Sequence, residues 1–560
     1  MPPRRRAAAL LLALACAAAA GGAAQPAIAL PDIACFDCRW LEDLPLDEWS
    51  AARNTTLQET LPWGQTVTFP PIDFRQLAEG LCECVLDSLE APYGSHEPPG
   101  RYVRVNGTRL ELEGETFRFA GFNAQQALAW AASGQPKLEA DLASLFQHAQ
   151  QLGLGVTRVW AGSAGHVVRP PFLYEYAELA PEAPEPAWAV VQPAPGEHNE
   201  TALAALDRVV QLAEQHGIRL ILNLADQTTR FGANPPGIEP YLKWLAGSLN
   251  LTGFTVHDFF TDERAKLIYK HFVCTLANRV NSLTGVKYKD STAIMAWDLI
   301  NEPRCPACPG STPTEAVTAW AAEMSEFVRC IDSNHLVSIG TEGYFSENST
   351  EFLPANPGPW SVCEGTGGTW DARNKSTCGW DCAMLWFRQW MGAHIAAAAA
   401  VGKPFVLEEF GVPWSTAQRD DMFRLVQEVF AAAWRNGSSP AAGSLFWGAT
   451  AGEHVDWAGW QLRLDGGQTE PPPSDAAAAL KAGMPAEQQQ WLEAVDRMQL
   501  AFRRDEEAKA CQEAAQRKLA DVYESRESAS ALEIVRELAA EADSVTAAVP
   551  AAEAAAVLSC

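Results

Sequence analysis

Ile294-Met-Ala-Trp-Asp-Leu-Ile300 runs directly into Asn301-Glu302-Pro303; a helix-like stretch follows over Thr314–Ile331, then a second apolar run at Leu336–Ile339. The first run reads as a buried strand that gives way to a loop at a carboxylate. Strand, helix and strand in that order form a unit whose strands lie parallel. The alternation continues in both directions. Upstream lie strands at Phe117–Asn123, Val156–Trp160 and Leu220–Leu224, with helices at Leu138–Leu152, Ala202–His216 and Arg264–Leu283 between and after them. Downstream lie a helix at Met384–Ala400, a strand at Phe405–Glu408, a helix at Arg419–Arg435 and a strand at Ser444–Trp447. So many βα units favour a (β/α)8 TIM barrel over an open doubly wound sheet, and no glycine fingerprint follows the first strand.

Only seven barrel strands are legible. Between Ile339 and Phe405 the chain is rich in Gly, Pro, Asn and Ser, carries Cys363, Cys378 and Cys382, and has no clear apolar β run. The sequence therefore predicts an α/β (β/α)8 barrel over residues 101–470 that lacks a legible sixth strand. Residues 25–100 form a Cys-bearing N-terminal segment ending in a turn-rich stretch. A hairpin follows, Tyr102-Val-Arg-Val turning at Asn106-Gly107 into Leu110-Glu-Leu-Glu. After Pro471-Pro-Pro the composition shifts to Ala, Glu, Gln and Arg, and Leu492, Val495 and Phe502 fall at helical spacing, so 471–560 reads as a helical tail.

The formal charge of −27 and a pI near 4.8 repel nucleic acid and anionic membrane and favour a neutral partner. The 20 Trp residues serve as core packing or as flat platforms for sugar rings; composition does not separate the two. Arg4, Arg5 and Arg6 precede an apolar Ala7–Ala20 stretch too short to span a bilayer, then small residues, which reads as a secretory signal over 1–24, with a transit peptide as the competing reading. No later run is long and apolar enough for a membrane span. Close Cys pairs at 35/38, 82/84, 305/308 and 378/382 read as disulfide partners in an oxidising compartment, with zinc as the rival for the first two. With Cys16 set aside in the signal, an odd number remains, and Cys560 is the expected unpaired thiol. Sequons at Asn54, Asn106, Asn199, Asn250, Asn348, Asn374 and Asn436 fit an exported glycoprotein.

In a barrel, functional groups stand at the C-terminal ends of the strands. Arg158, Asn301, Glu302, Glu409 and Trp447 all fall at or near such ends, on different strands that would face one mouth. Glu302 and Glu409, far apart in sequence, are the acid and nucleophile a retaining glycosidase needs, with carboxyls about 5–5.5 Å apart.

These motifs resemble those of glycoside hydrolase family 5: Asn301-Glu302-Pro303 and Glu408-Glu409-Phe410-Gly411. Val156-Thr-Arg-Val-Trp160, Asp258-Phe-Phe-Thr-Asp262, Tyr288-Lys-Asp290, Trp297 through Arg304-Cys305, and Ile339-Gly-Thr-Glu-Gly343 are similar to the family's eukaryotic endo-β-1,4-mannanases. The resemblance covers roughly 101–450. It implies Glu302 as general acid/base and Glu409 as nucleophile, because the family's nucleophile directly precedes Phe-Gly; alternation would turn Glu408 the other way. It further implies Arg158 holding Glu409 charged, Asn301 binding the sugar 2-hydroxyl, Trp447 flooring the cleavage subsite and Trp160 lining it. Two carboxylates suffice, so neither metal nor organic cofactor is expected. The implied protein is secreted and hydrolyses mannan, glucomannan or galactomannan. The alternatives are a β-1,4-glucanase of the same family and a catalytically impaired mannan-binding homologue. Two departures stand out. The family's sixth-strand His followed two residues later by an aromatic is missing between Glu342 and Glu409, where His394 is the sole His and lies in a helical stretch. Ala124-Gln125-Gln126 also replaces an expected aromatic pair after the first strand.

Overall fold

A computed structural model describes Cys38 and most of residues 43–465; the segments 61–65, 90–100, 166–189, 228–236, 249–252, 306–314, 344–379, 413–415 and 453–460, positions 163 and 436, and the two ends of the chain lie outside the described residues. The expected signal segment, the expected helical tail and Cys560 therefore fall outside them. Two compact units divide the chain, the first holding residues 1–342, 395–415 and 430–476.

The first unit opens with a helix, Leu46–Ala52, an antiparallel pair β1 (Leu57–Thr60) and β2 (Thr66–Phe69), and a helix, Phe74–Leu89. An antiparallel meander follows: β3 (Arg104–Asn106), β4 (Arg109–Leu112) and β5 (Glu115–Phe117). Gly107 takes a φ of 59° in the first turn, the left-handed conformation a two-residue hairpin needs. The barrel strands are β6 (Phe119–Asn123), β7 (Val156–Trp160), β8 (Arg219–Asn223), β9 (Ile294–Asn301), β10 (Leu336–Gly340), β11 (Phe405–Leu407) and β12 (Ala441–Phe446). They form one parallel sheet in the order β10-β9-β8-β7-β6-β12-β11. The first strand pairs with the last, β6 with β12, as barrel closure requires. Among the described residues no strand stands between β10 and β11, so these two are the sheet's edges. The stretch in which the sequence shows no legible sixth strand falls largely on 344–379, outside the described residues.

Every residue of β7 and β9 is buried, as expected where helices cover a parallel sheet. One cluster joins Val103 and Leu110 of the meander region to Phe119, Val156, Ile221, Met295 and Leu445, most of them near the starts of barrel strands. The meander thus plugs the end at which the strands begin and leaves the other end for the site. The outer helix Glu200–His216 shows how local sequence sets the frame. Asn199 Oδ1 accepts from the backbone N–H of Thr201 and Ala202, and Gly217 ends the helix at φ 66°.

The N-terminal segment is bonded to the barrel. Disulfides join Cys38 to Cys82 and Cys84 to Cys274, the latter on the helix Glu263–Asn278. Arg53 Nε donates to Trp244 O at 2.9 Å, Lys289 Nζ to Ser88 O at 2.6 Å, and Lys287 pairs with Asp87 at 2.9 Å. This corrects the neighbour pairing expected for Cys35/Cys38 and Cys82/Cys84. Cys82 and Cys84 are two apart on one helix, so their side chains point to different sides and cannot meet. It also occupies three of the thiols that a zinc site would have used. Cys305 is disulfide-bonded as well.

In the second unit the described residues are Gly343, 380–394 of the helix Trp380–Ala400, and 416–429 of the helix Thr416–Arg435. His394 lies on the first of these helices, its ring 4.1 Å from that of Trp390 and its Nε2 3.0 Å from Gly343 O.

Candidate active site

The site is built around Arg158 in β7, whose side chain is 1% exposed. Its Nε and Nη2 donate to Asp298 Oδ2 at 2.9 and 2.7 Å. Nη2 also donates to Asn301 Oδ1 at 2.8 Å, and Nη1 to Glu409 Oε1 at 2.5 Å. The guanidinium lies 4.6 Å from the Trp160 ring centre, two residues along the same face of β7. Two strands and a loop therefore converge on one planar cation, which a forked donor set can satisfy and an ammonium cannot.

The register of β9 explains how Asp298 and Asn301, three residues apart, both reach it. Ser338 faces Asp298 across the β10–β9 pair and Gly340 faces Asn301, so β9 carries one extra residue there. Such a bulge reverses the side-chain alternation, and two positions of opposite parity then turn inward. Asn301 Nδ2 donates to Asp226 Oδ2 at 3.3 Å, which fixes the amide from both ends.

Glu302 follows at φ 48°, a left-handed conformation that a non-glycine residue adopts only where its surroundings impose it. Its N–H donates to Gly340 O at 2.7 Å, and Pro303 restrains it from the other side. Burial, then the charges of Glu342 and Glu409, push the Glu302 carboxyl well above the usual carboxylate range; Arg304, with Nη2 at 3.7 Å, opposes them. Arg304 is held in turn by paired contacts to the buried Glu342 and by backbone hydrogen bonds with the Gln227 side chain.

β11 ends at Leu407, so strand alternation no longer governs Glu408 and Glu409. This corrects the expectation that Glu408 turns away: its Oε2 lies 3.8 Å from Arg158 Nε, on the same cation as Glu409. Asn123 Nδ2 holds the turn by donating to Glu408 O at 2.8 Å. Burial pushes Glu409 up to about 7 against the pull of Arg158, and burial followed by Asp298 pushes Glu408 up to about 8.

Trp447 follows β12, half-buried, with its backbone N–H donating to Phe410 O at 2.7 Å and its ring edge-on to Trp160 at 5.4 Å. Trp160 is 2% exposed and donates its indole N–H to Asp226 Oδ2 at 2.8 Å. Its ring therefore supports Trp447 and Arg158 from within rather than presenting a face to solvent, unlike the lining role expected of it. After the first strand, Gln126 is buried and donates to Ala449 O at 2.6 Å, so it closes a loop contact. All six singled-out residues (Arg158, Trp160, Asn301, Glu302, Glu409 and Trp447) thus gather at the C-terminal ends of the strands. Sequence reading gave no role to Asp298, Asp226, Glu342 and Arg304, and it turned Glu408 away from the site. For Asp298 the signal was present: an aspartate inside an otherwise apolar, fully buried strand needs a cationic partner. Among the described residues, no group of three or more His, Cys, Asp or Glu could hold a metal ion.

A family model described as GH family 5 beta-mannosidase-like matches residues 100–454. Over 375 residues the chain is 34% identical to mannan endo-1,4-beta-mannosidase 7 of Arabidopsis thaliana, covering 62% of this chain and 78% of the relative. Over 415 residues it is 34% identical to mannan endo-1,4-beta-mannosidase 4 of Oryza sativa subsp. japonica, covering 69% and 79%. Among solved structures, a glycoside hydrolase family 5 mannosidase from Rhizomucor miehei superposes with a TM-score of 0.52 at 19% identity, covering 66% of this chain and 95% of that one. That likeness bears on the fold alone.

Proposed function

The chain belongs to glycoside hydrolase family 5, and on that premise we propose that it is a secreted endo-β-1,4-mannanase that acts with retention of anomeric configuration. The observation that carries this reading is the pair Glu302 and Glu409 standing at different strand ends at one mouth, with the charge of Glu409 helping to raise the Glu302 carboxyl. In the first step Glu409 attacks the anomeric carbon while Glu302 gives its proton to the departing glycosidic oxygen, leaving a glycosyl ester on Glu409. In the second, Glu302 takes a proton from water, the water oxygen attacks the anomeric carbon, and the ester bond breaks to restore Glu409. The environment of Glu302 suits a group that must carry a proton to its substrate. Arg158 keeps Glu409 oriented and favours its charge. Asn301, locked between Arg158 and Asp226, is placed to bind the sugar 2-hydroxyl, and Trp447 to floor the cleavage subsite with Trp160 as its support. No step requires a metal or organic cofactor.

The relatives named mannan endo-1,4-beta-mannosidases support a mannan-type polysaccharide as substrate. The Arg-led apolar N-terminus and the two disulfides support export, with a signal over 1–24, a catalytic barrel over 101–470 and a helical tail over 471–560. The absence of a His followed two residues later by an aromatic between Glu342 and Glu409 favours one second reading, a mannan-binding homologue with impaired turnover. Reducing-sugar release from mannan and from carboxymethylcellulose decides among these. The proposal expects turnover on mannan, retained anomeric configuration by proton NMR, and loss of activity in both Glu302→Gln and Glu409→Gln. Preference for carboxymethylcellulose removes the mannan assignment; binding of mannan without turnover leaves the second reading standing.

A further inference from the structure

Arg158 faces three carboxyl groups. Its own side chain is 1% exposed, that of Asp298 0%, Glu408 14% and Glu409 30%. With all three ionised, one positive charge would stand against three negative charges in a site largely shut off from water. Carboxylates so close do not ionise together: one keeps a proton and lets its neighbour give its own up.

The geometry points to which one keeps it. Asp298 Oδ2 accepts three hydrogen bonds, two from Arg158 and one from Asn223 Nδ2 at 3.1 Å, so its charge is the best compensated. Glu409 accepts Arg158 Nη1 at 2.5 Å and is the most open to solvent. Glu408 has only the 3.8 Å approach of Arg158 Nε, beyond hydrogen-bonding distance. Asn123 bonds its carbonyl, not its carboxyl. Ser338 Oγ is near enough to favour the Glu408 charge slightly, yet it is buried without a hydrogen bond of good geometry. A Cβ on Gly340 would come within 3.2 Å of Glu408 Oε2, 3.1 Å of Asp298 Oδ2 and 2.9 Å of Arg158 Nη2, so these groups crowd one small space. Beside them Asp298 Oδ1 is buried with no donor against it, an acceptor suited to a neighbouring acid. Among the described residues, the charged groups acting most strongly on Glu408 are Arg158 from β7, Asp298 from β9 and Glu409 from its own loop.

We propose that Glu408 is a positioning residue that keeps its proton beside Arg158 and Asp298, leaving the Arg158 guanidinium to the ionised nucleophile. The inference rests on the reading of Glu409 as nucleophile. The electrostatics agree with it: burial raises both carboxyls, but at Glu408 the charge of Asp298 adds to burial ahead of any help from Arg158, whereas at Glu409 Arg158 is the leading influence against burial. As pH rises past the Glu408 value, a second anion competes for Arg158 and the nucleophile loses its orientation.

Glu408→Gln imitates the protonated side chain in shape and charge, so pH profiles of kcat/KM on mannan test the idea. The expected result is turnover within tenfold of wild type, an acid limb in its original place, and an alkaline loss displaced to higher pH. An acid limb moved to lower pH means that Glu408 was ionised beside Glu409 all along and overturns the proposal. Loss of turnover in Glu408→Gln with activity kept in Glu409→Gln exchanges the two roles and overturns it too. Infrared titration of the full-length protein reads the same proton without substrate, so failure of the mannanase reading is told apart from failure of this one. The carboxylic carbonyl absorption missing in Glu408→Gln is expected to persist in wild type through neutral pH. In Glu409→Gln, which carries the test should Glu408→Gln not fold, a carbonyl absorption is expected to vanish at lower pH than in wild type. An unshifted titration there overturns the coupling.

Discussion

Replacing Arg158 by Lys probes the centre on which the whole site depends. The guanidinium makes four hydrogen bonds, to Asp298 twice, to Asn301 and to Glu409. A lysine keeps the charge but is a point donor on a flexible stem, and it cannot span Asp298 and Glu409 at once. At least two bonds involving charged partners are lost, each worth about 1.5–3 kcal/mol, or roughly 3–6 kcal/mol together. Part of this falls on the folded state, since Asp298 is wholly buried and keeps its need for a cation. If half falls on the transition state, kcat/KM on mannan drops by roughly 10- to 150-fold. The pH profile carries a second mark. Arg158 is what opposes burial at Glu409, so weakening it lets the Glu409 pKa climb, and the acid limb of kcat/KM moves to higher pH. Both effects are read from initial rates across pH, with thermal unfolding as a control that the variant is folded at the assay temperature. A folded Arg158→Lys within twofold of wild type, its acid limb unmoved, would refute the claim that this cation orients and charges Glu409.

Further outcomes follow from the same geometry. Trp447→Ala removes a half-buried ring worth roughly 2 kcal/mol of contact and is expected to lower kcat/KM about 30-fold, with Trp447→Phe recovering much of it; equal rates would remove the ring from the subsite. Removing the disulfide between Cys84 and Cys274, 190 residues apart, by a double change to serine should lower unfolding free energy by about 2–4 kcal/mol, measured in denaturant; an unchanged midpoint would mean the clasp is dispensable. Stability should also depend on pH with an unusual sign. The Glu302, Glu408 and Glu409 carboxyls are raised in the fold, so the native state holds protons that the unfolded chain releases above the ordinary value of 4.5. Their stabilisation is present below that value and is lost as pH rises towards about 8, where Glu408 ionises. Asp207, Asp332 and Glu323 are lowered, and their contribution is lost only at more acidic pH. Melting temperatures should therefore peak on the mildly acidic side and fall towards alkaline pH; a flat profile across that window would count against the buried carboxyl cluster.

Much of the frame was legible because its signals are local. An apolar run ending in Asn301-Glu302-Pro303, repeated βα alternation and the Asn106-Gly107 turn depend on residues adjacent in sequence, and all seven legible barrel strands occur close to their expected places. The hairpin was read in part: its third strand, Glu115–Phe117, was merged with the first barrel strand, since Phe117 and Phe119 belong to one unbroken stretch and only pairing separates them. The pairings of Cys35 with Cys38 and of Cys82 with Cys84 were misread because closeness in sequence was taken for closeness in space, whereas Cys82 and Cys84, two positions apart on a helix, point to different sides.

The sequence by itself determined which residues reach the mouth of the barrel: the strand ends place Arg158, Asn301, Glu302, Glu409 and Trp447 there whatever the details of packing. Only the tertiary structure decided what each of them faces. The contact of Arg158 with Glu409 spans 251 residues and that with Asp298 spans 140, and the β9 bulge turns Asp298 and Asn301 inward together. The burial of Trp160 and the inward turn of Glu408 are likewise set by neighbours from other strands. Charge balance in a buried site is a property of everything gathered around one guanidinium, and no single segment of the chain contains it.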